Sequence, residues 1–142
     1  MKTLILLASL ISFGVQAETV TLKLTNLGGE KGQIAVAAFD NADSFPDRSN
    51  QAVLTKFFPL VTSLSETTLT LELKPGRYAL ALFLDANKNQ KLDKNIVGAP
   101  KERFGFSNNP KITFGAPNFN ECEIEVLPGK KQVLSIRMIN FF

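Results

Sequence analysis

Apolar residues fall at every second position along most of this chain. Val20, Leu22 and Leu24 alternate with Thr19, Thr21, Lys23 and Thr25. Leu69, Leu71 and Leu73 alternate with Thr68, Thr70 and Glu72, and Tyr78, Leu80, Leu82 and Leu84 with Ala79, Ala81 and Phe83. Near the end, Cys122, Ile124 and Val126 alternate with Glu121, Glu123 and Glu125, and Leu134, Ile136 and Met138 with Val133, Ser135 and Arg137. A period of two turns one face of an extended strand to a core and the other to water. No stretch repeats with comparable strength at the 3.6-residue period of a helix. Residues 33–39 are apolar on both faces, which predicts a central strand. Residues 52–61 are weaker and carry Pro59, which has no N–H for a ladder and predicts an edge.

Turn residues punctuate these strands. Asn26 to Gly32 is glycine-rich, and residues 41–50 form a polar loop around Pro46. Lys74-Pro75-Gly76-Arg77 and Leu127-Pro128-Gly129-Lys130 predict two hairpins, the second closing the chain. Seven strands in one domain predict an all-β fold, an antiparallel Greek-key β-sandwich. Residues 85–120 lack regular alternation, and loops beyond about 12–15 residues are uncommon unless functional or disordered. Phe104, Phe106, Ile112, Phe114 and Phe119 run through the segment, and disordered segments are poor in aromatics. It is expected to be one long ordered loop packed against one end of the sandwich. A membrane barrel is not expected, because there is no tryptophan and one tyrosine to form an aromatic girdle.

The first 17 residues read as an export signal. Lys2 supplies the positive start, Thr3 to Phe13 the apolar run, and Val15-Gln16-Ala17 the small-residue cleavage site, with Glu18 first in the mature chain. The apolar run is too short to span a bilayer, so no membrane span is expected after its removal. A bacterial periplasmic or secreted location follows. Without Lys2, the 16 basic residues become 15 against 13 acidic, a mixed net charge of +2 with no nucleic-acid footprint. There are no histidines and one cysteine. That excludes Ser–His and Cys–His nucleophile pairs, the usual zinc sites and an intramolecular disulfide. Cys122 shares the alternating face of Ile124 and Val126 and is expected to be an inert core thiol.

Chemistry concentrates in one loop. Asp85, Asn87, Asn89 and Asp93 place oxygens at positions 1, 3, 5 and 9, a spacing that lets a loop wrap a hard cation. Lys91, at position 7, would contribute its backbone carbonyl. Position 12 is Ile96, which cannot ligate, so Glu102 would close the site. Position 6 is Gln90, where the sharp turn normally wants glycine. The affinity class is that of weak extracellular calcium modules. The same residues also make turns without any ion, because Asp and Asn side chains bond their own backbone two residues on. Phe104, Phe106, Ser107 and Asn108 form a second candidate, either a ligand surface or a plug for the sandwich end. Asp85, Asp93 and Glu102 as glycosidase carboxylates are a poor match, with no Trp or Tyr platform nearby.

Leu73-Lys74-Pro75-Gly76-Arg77-Tyr78-Ala79 resembles a hairpin of transthyretin-like sandwiches. It is followed by Asp85-x-Asn87-x-Asn89-x-x-Leu92-Asp93-x-Asn95, Gly98-x-Pro100-x-Glu102 and Gly105-Phe106-Ser107-Asn108-Asn109. The whole resembles DUF2141, a family of exported bacterial proteins of unassigned function, from about Gly32 to the C-terminus. The resemblance implies an Ig-like or transthyretin-like sandwich and no known activity. Gln90 departs from a glycine usual in the family's loop. The resulting expectation is a non-enzymatic exported binding or structural module, its partner a protein or small molecule. A calcium-stabilised sandwich is the alternative, and a carboxylate hydrolase comes third.

Overall fold

The computed structural model describes residues 14–141. Residues 1–13 of the expected leader lie outside them, and Gly14 to Ala17 are exposed and without regular structure. Eight strands follow: β1 (Glu18–Thr25), β2 (Gly32–Phe39), β3 (Leu54–Leu60), β4 (Thr67–Leu73), β5 (Gly76–Asp85), β6 (Phe104–Phe106), β7 (Glu123–Val126) and β8 (Gln132–Arg137). A 3-10 turn (Ser49–Gln51) and one helical turn, α1 (Phe119–Cys122), are the only helical pieces among the described residues. The all-β expectation holds. The count is eight rather than seven, because the long segment contributes β6.

The strands form two sheets. One has the order β4-β1-β8; the other has the order β3-β2-β5-β6, with β7 also on β5. β1 and β8 run parallel, so the sandwich is not wholly antiparallel. Neither predicted hairpin exists. β4 pairs with β1 while β5 pairs with β2, β6 and β7. β7 joins one sheet and β8 the other. The Lys74–Arg77 and Leu127–Lys130 turns therefore carry the chain across the core. Leu69, Leu71 and Leu73 then face Leu80, Leu82 and Leu84 from opposite sheets, which satisfies both alternations at once. Each fully buried aliphatic side chain contributes about 1.5–3 kcal/mol, so this layer holds the domain together.

A second apolar cluster lies on the outer face of the larger sheet. Phe39, Ala79, Phe104, Phe106 and Cys122 form it, with Phe45 from the 41–50 loop. The long 85–120 segment thus covers this face rather than one end of the sandwich. Phe104 pairs with Phe83 and Phe106 with Ala81, so both rings turn outward. Between them Gly105 faces the core, where an added Cβ would lie 3.0 Å from both Ile136 and Met138. Cys122 is buried as expected, but it closes α1 and packs in the outer cluster instead of lying on a strand's inner face.

Candidate functional site

The loop that leaves β5 is tied by its own side chains. Asp85 is fully buried. Its carboxylate accepts the N–H groups of Asn89 (3.1 Å) and Gln90 (2.8 Å) and the side-chain amide of Gln33 (2.8 Å). Asn87 and Asn89 each donate their amide nitrogen to Asp93, both at 2.8 Å. Their amide oxygens accept N–H groups two residues on, from Asn89 and Lys91. Buried Glu102 accepts from Ala86 (3.3 Å) with one oxygen and Asp93 (3.2 Å) with the other. Gln90 makes the sharp turn without glycine, at φ 63°, and Lys88 is also left-handed at φ 58°.

These contacts set the local electrostatics. Burial pushes the Glu102 carboxyl above the ordinary glutamate range, against the pull of the Asp93 N–H. The Asn89 and Asn87 amides hold Asp93 below the ordinary aspartate range. Asp85, Asn87, Asn89, Asp93 and Glu102 are thus linked in one hydrogen-bonded network. Each carboxylate oxygen in it already accepts an N–H. The network fits a hydrogen-bonded clasp as it stands. A cation would need the two asparagine amides to turn their oxygens inward and would take up the remaining lone pairs of the carboxylates.

The second candidate set splits in two. Phe104 and Phe106 line an open cavity, described below. Ser107 and Asn108 are structural. β6 and β7 share one edge of β5, and Ser107 splices them at Leu80: its N–H reaches the Leu80 carbonyl at 3.1 Å, and its hydroxyl accepts the Leu80 N–H at 2.9 Å. The same hydroxyl donates to the Cys122 carbonyl. Asn108 adopts φ 67° and donates to the Glu123 carbonyl at 2.8 Å. Burying backbone groups without partners is costly, so both side chains secure this joint.

The cavity, of about 740 Å³, lies between the outer face of the larger sheet and the long segment. Strand register explains it. Phe57, Ala35, Phe83 and Phe104 form one row across the sheet, and Thr55, Ala37, Ala81 and Phe106 the next. Ala35, Ala37 and Ala81 occupy three of the four middle places and Phe83 the fourth, with Phe57, Phe104 and Phe106 on the flanks beside Thr55, leaving a trough that runs along β2 and β5. Phe104 makes an edge contact with Phe141, centroids 5.2 Å apart. Lys91, Leu92, Lys94, Val97 and Pro100 line the trough from the clasp side, and Ile112 and Phe114 from the segment beyond β6. Pro46 and Asp47 line it from the 41–50 loop. Phe114 is 97% exposed, Val97 82% and Phe141 54%, so much of the lip is bare apolar surface. The trough was not read from the sequence. Its signal was present in the two-faced apolarity of residues 33–39, where alternate positions are alanine.

What these features define is an all-β, two-sheet protein with a covered outer face and an apolar trough beneath that cover. The family model for an uncharacterized protein conserved in bacteria, DUF2141, matches residues 22–134, and the chain belongs to this family. No curated protein and no solved structure matches it.

Proposed function

We propose that this is an exported, non-enzymatic binding module of the periplasm or cell exterior, and that its ligand site is the outer trough. We further propose that its fold is a variant of the Ig-like and transthyretin-like sandwiches. The cavity carries the reading. Small-ligand sites are concave, mostly apolar and roughly 300–1,000 Å³, and about 740 Å³ between alanine floor and phenylalanine walls matches them. Exposed phenylalanine and valine at its lip are the kind of apolar surface that marks interaction sites. Titration with a fluorophore that brightens in apolar surroundings tests the reading. The wild-type chain should bind it, and Ala37→Leu, which fills the floor, should not, at an unchanged melting temperature. Absence of binding by the wild type refutes the trough as a site.

A calcium ion ordering the 85–102 loop is the second reading. Its support is the convergence of Asp85, Asn87, Asn89, Asp93 and Glu102 in one network beside the Lys91 backbone. Millimolar calcium should then raise the melting temperature relative to chelator by a few degrees.

A further inference from the structure

We infer that the trough takes a single-chain amphiphile with an anionic head, its head at the clasp end and its tail over the alanine floor. This rests on the trough being the ligand site. The two ends of the trough differ in charge. The clasp segment leaves β5 at the Gln33–Asp85 end and contributes Lys91 and Lys94 to the lining. The 41–50 loop leaves β2 at the other end and contributes Asp47. Lys91 and Lys94 are both exposed and have no ion pair among the described residues, where the salt bridges join Arg77 to Glu123 and Arg103 to Glu30. The interior between the two ends is alanine and phenylalanine. Such a site offers an apolar chain a dry floor and offers only one end an attractive charge. An anionic head at Lys91 and Lys94 gains a counter-charge, whereas the reverse orientation would bring it to Asp47. A neutral chain gains only the floor, and a cationic one is repelled at the clasp end and meets a single carboxylate, Asp47, only in the reverse orientation.

Titration calorimetry with dodecanoate, dodecyl phosphate, dodecanol and dodecyltrimethylammonium, all below micelle formation, tests this. The chain is constant and only the head varies. Both anions should bind more tightly than dodecanol and than dodecyltrimethylammonium. The double variant Lys91→Gln/Lys94→Gln should weaken the anions by about fivefold, as two exposed charge contacts allow, and leave dodecanol unchanged. Added salt should mimic that loss in the wild type. The stronger of dodecanoate and dodecyl phosphate tells a carboxylate head from a phosphate one. Ala37→Leu should reduce binding of all four. Equal affinity for all heads, or lysine variants that bind the anions as the wild type does, would overturn the anionic head and leave the trough standing. Failure of every probe on the wild type would instead overturn the trough itself.

Discussion

Asp85→Ala is the sharpest perturbation of the clasp. The carboxylate is fully buried and accepts three N–H groups, two of them from the loop backbone at Asn89 and Gln90 and one from the Gln33 amide. A hydrogen bond to a charged group is worth about 1.5–3 kcal/mol when its partner is shielded from water. Asn89 and Gln90 are themselves exposed, so water recovers part of their loss. The expected cost is therefore about 2–4 kcal/mol rather than the full sum for three bonds. For a domain of this size that lowers the melting temperature by about 10 °C. With no tryptophan and one tyrosine, intrinsic fluorescence is a poor probe, and circular dichroism in urea is the suitable assay. The measurement belongs in both chelator and millimolar calcium. An equal loss in the two buffers is expected of a hydrogen-bonded clasp. A variant as stable as wild type in chelator would refute the reasoning, and a loss confined to calcium would show that the carboxylate serves an ion.

Three further outcomes follow from the same contacts. Gly32→Ala should destabilise by several kcal/mol, because φ is 131° and the new Cβ would lie 2.3 Å from the Asp85 carbonyl oxygen, against backbone that cannot move aside; wild-type stability would mean that β2 and β5 are misregistered. Cys122 should stay unlabelled by a thiol reagent in the folded protein and react on unfolding, since burial, with Glu121 beside it, pushes its pKa up to about 12; rapid native labelling would contradict the outer cluster. In a carbon-detected NMR titration Glu102 should titrate above the ordinary glutamate range and Asp93 below the ordinary aspartate range. Glu102, with its folded pKa raised, contributes stability at low pH that is lost as pH rises through that pKa, whereas Asp93 contributes stability present at higher pH and lost as pH falls through its own. The reverse order of titration would mean that the amides do not face Asp93.

The alternation of leucine with threonine at 19–25 and 68–73 was enough to place β1 and β4 and to say which side chains face inward. It could not say which strand each would pair with. Lys74-Pro75-Gly76-Arg77 is as good a bend between sheets as within one, and leucines facing across a core show the same period as leucines side by side. Pairing depends on contacts far apart in sequence, such as Val20 with Gln132. The polar look of residues 41–50 likewise hid Phe45, whose ring meets Phe39, Phe106 and Phe119 edge-on. The Asp/Asn turn was legible because the bonds among Asp85, Asn87, Asn89 and Asp93 are local, two to six residues apart, whereas the Gln33 bond to Asp85, 52 residues apart, was not. The trough was not, because it arises from four strands whose small and large residues come into line only once the sheet has formed.

The parallel pairing of β1 with β8 also governs how the chain can be assembled. β1 is the middle strand of its sheet, yet its partners begin at Thr67 on one side and at Gln132 on the other. Contacts of such separation make folding slow, because the entropy of closing the intervening chain is lost before the contact is gained. During that interval the β8-facing edge of β1 presents unpaired N–H and C=O groups beside Val20, Leu22 and Leu24. An open, apolar strand edge is a template on which another copy can add. The larger sheet has no such delay at its centre, since β2, β3 and β5 are closer neighbours along the chain. Only the arrival of the last described strand, β8, seals the edge that the first one left open.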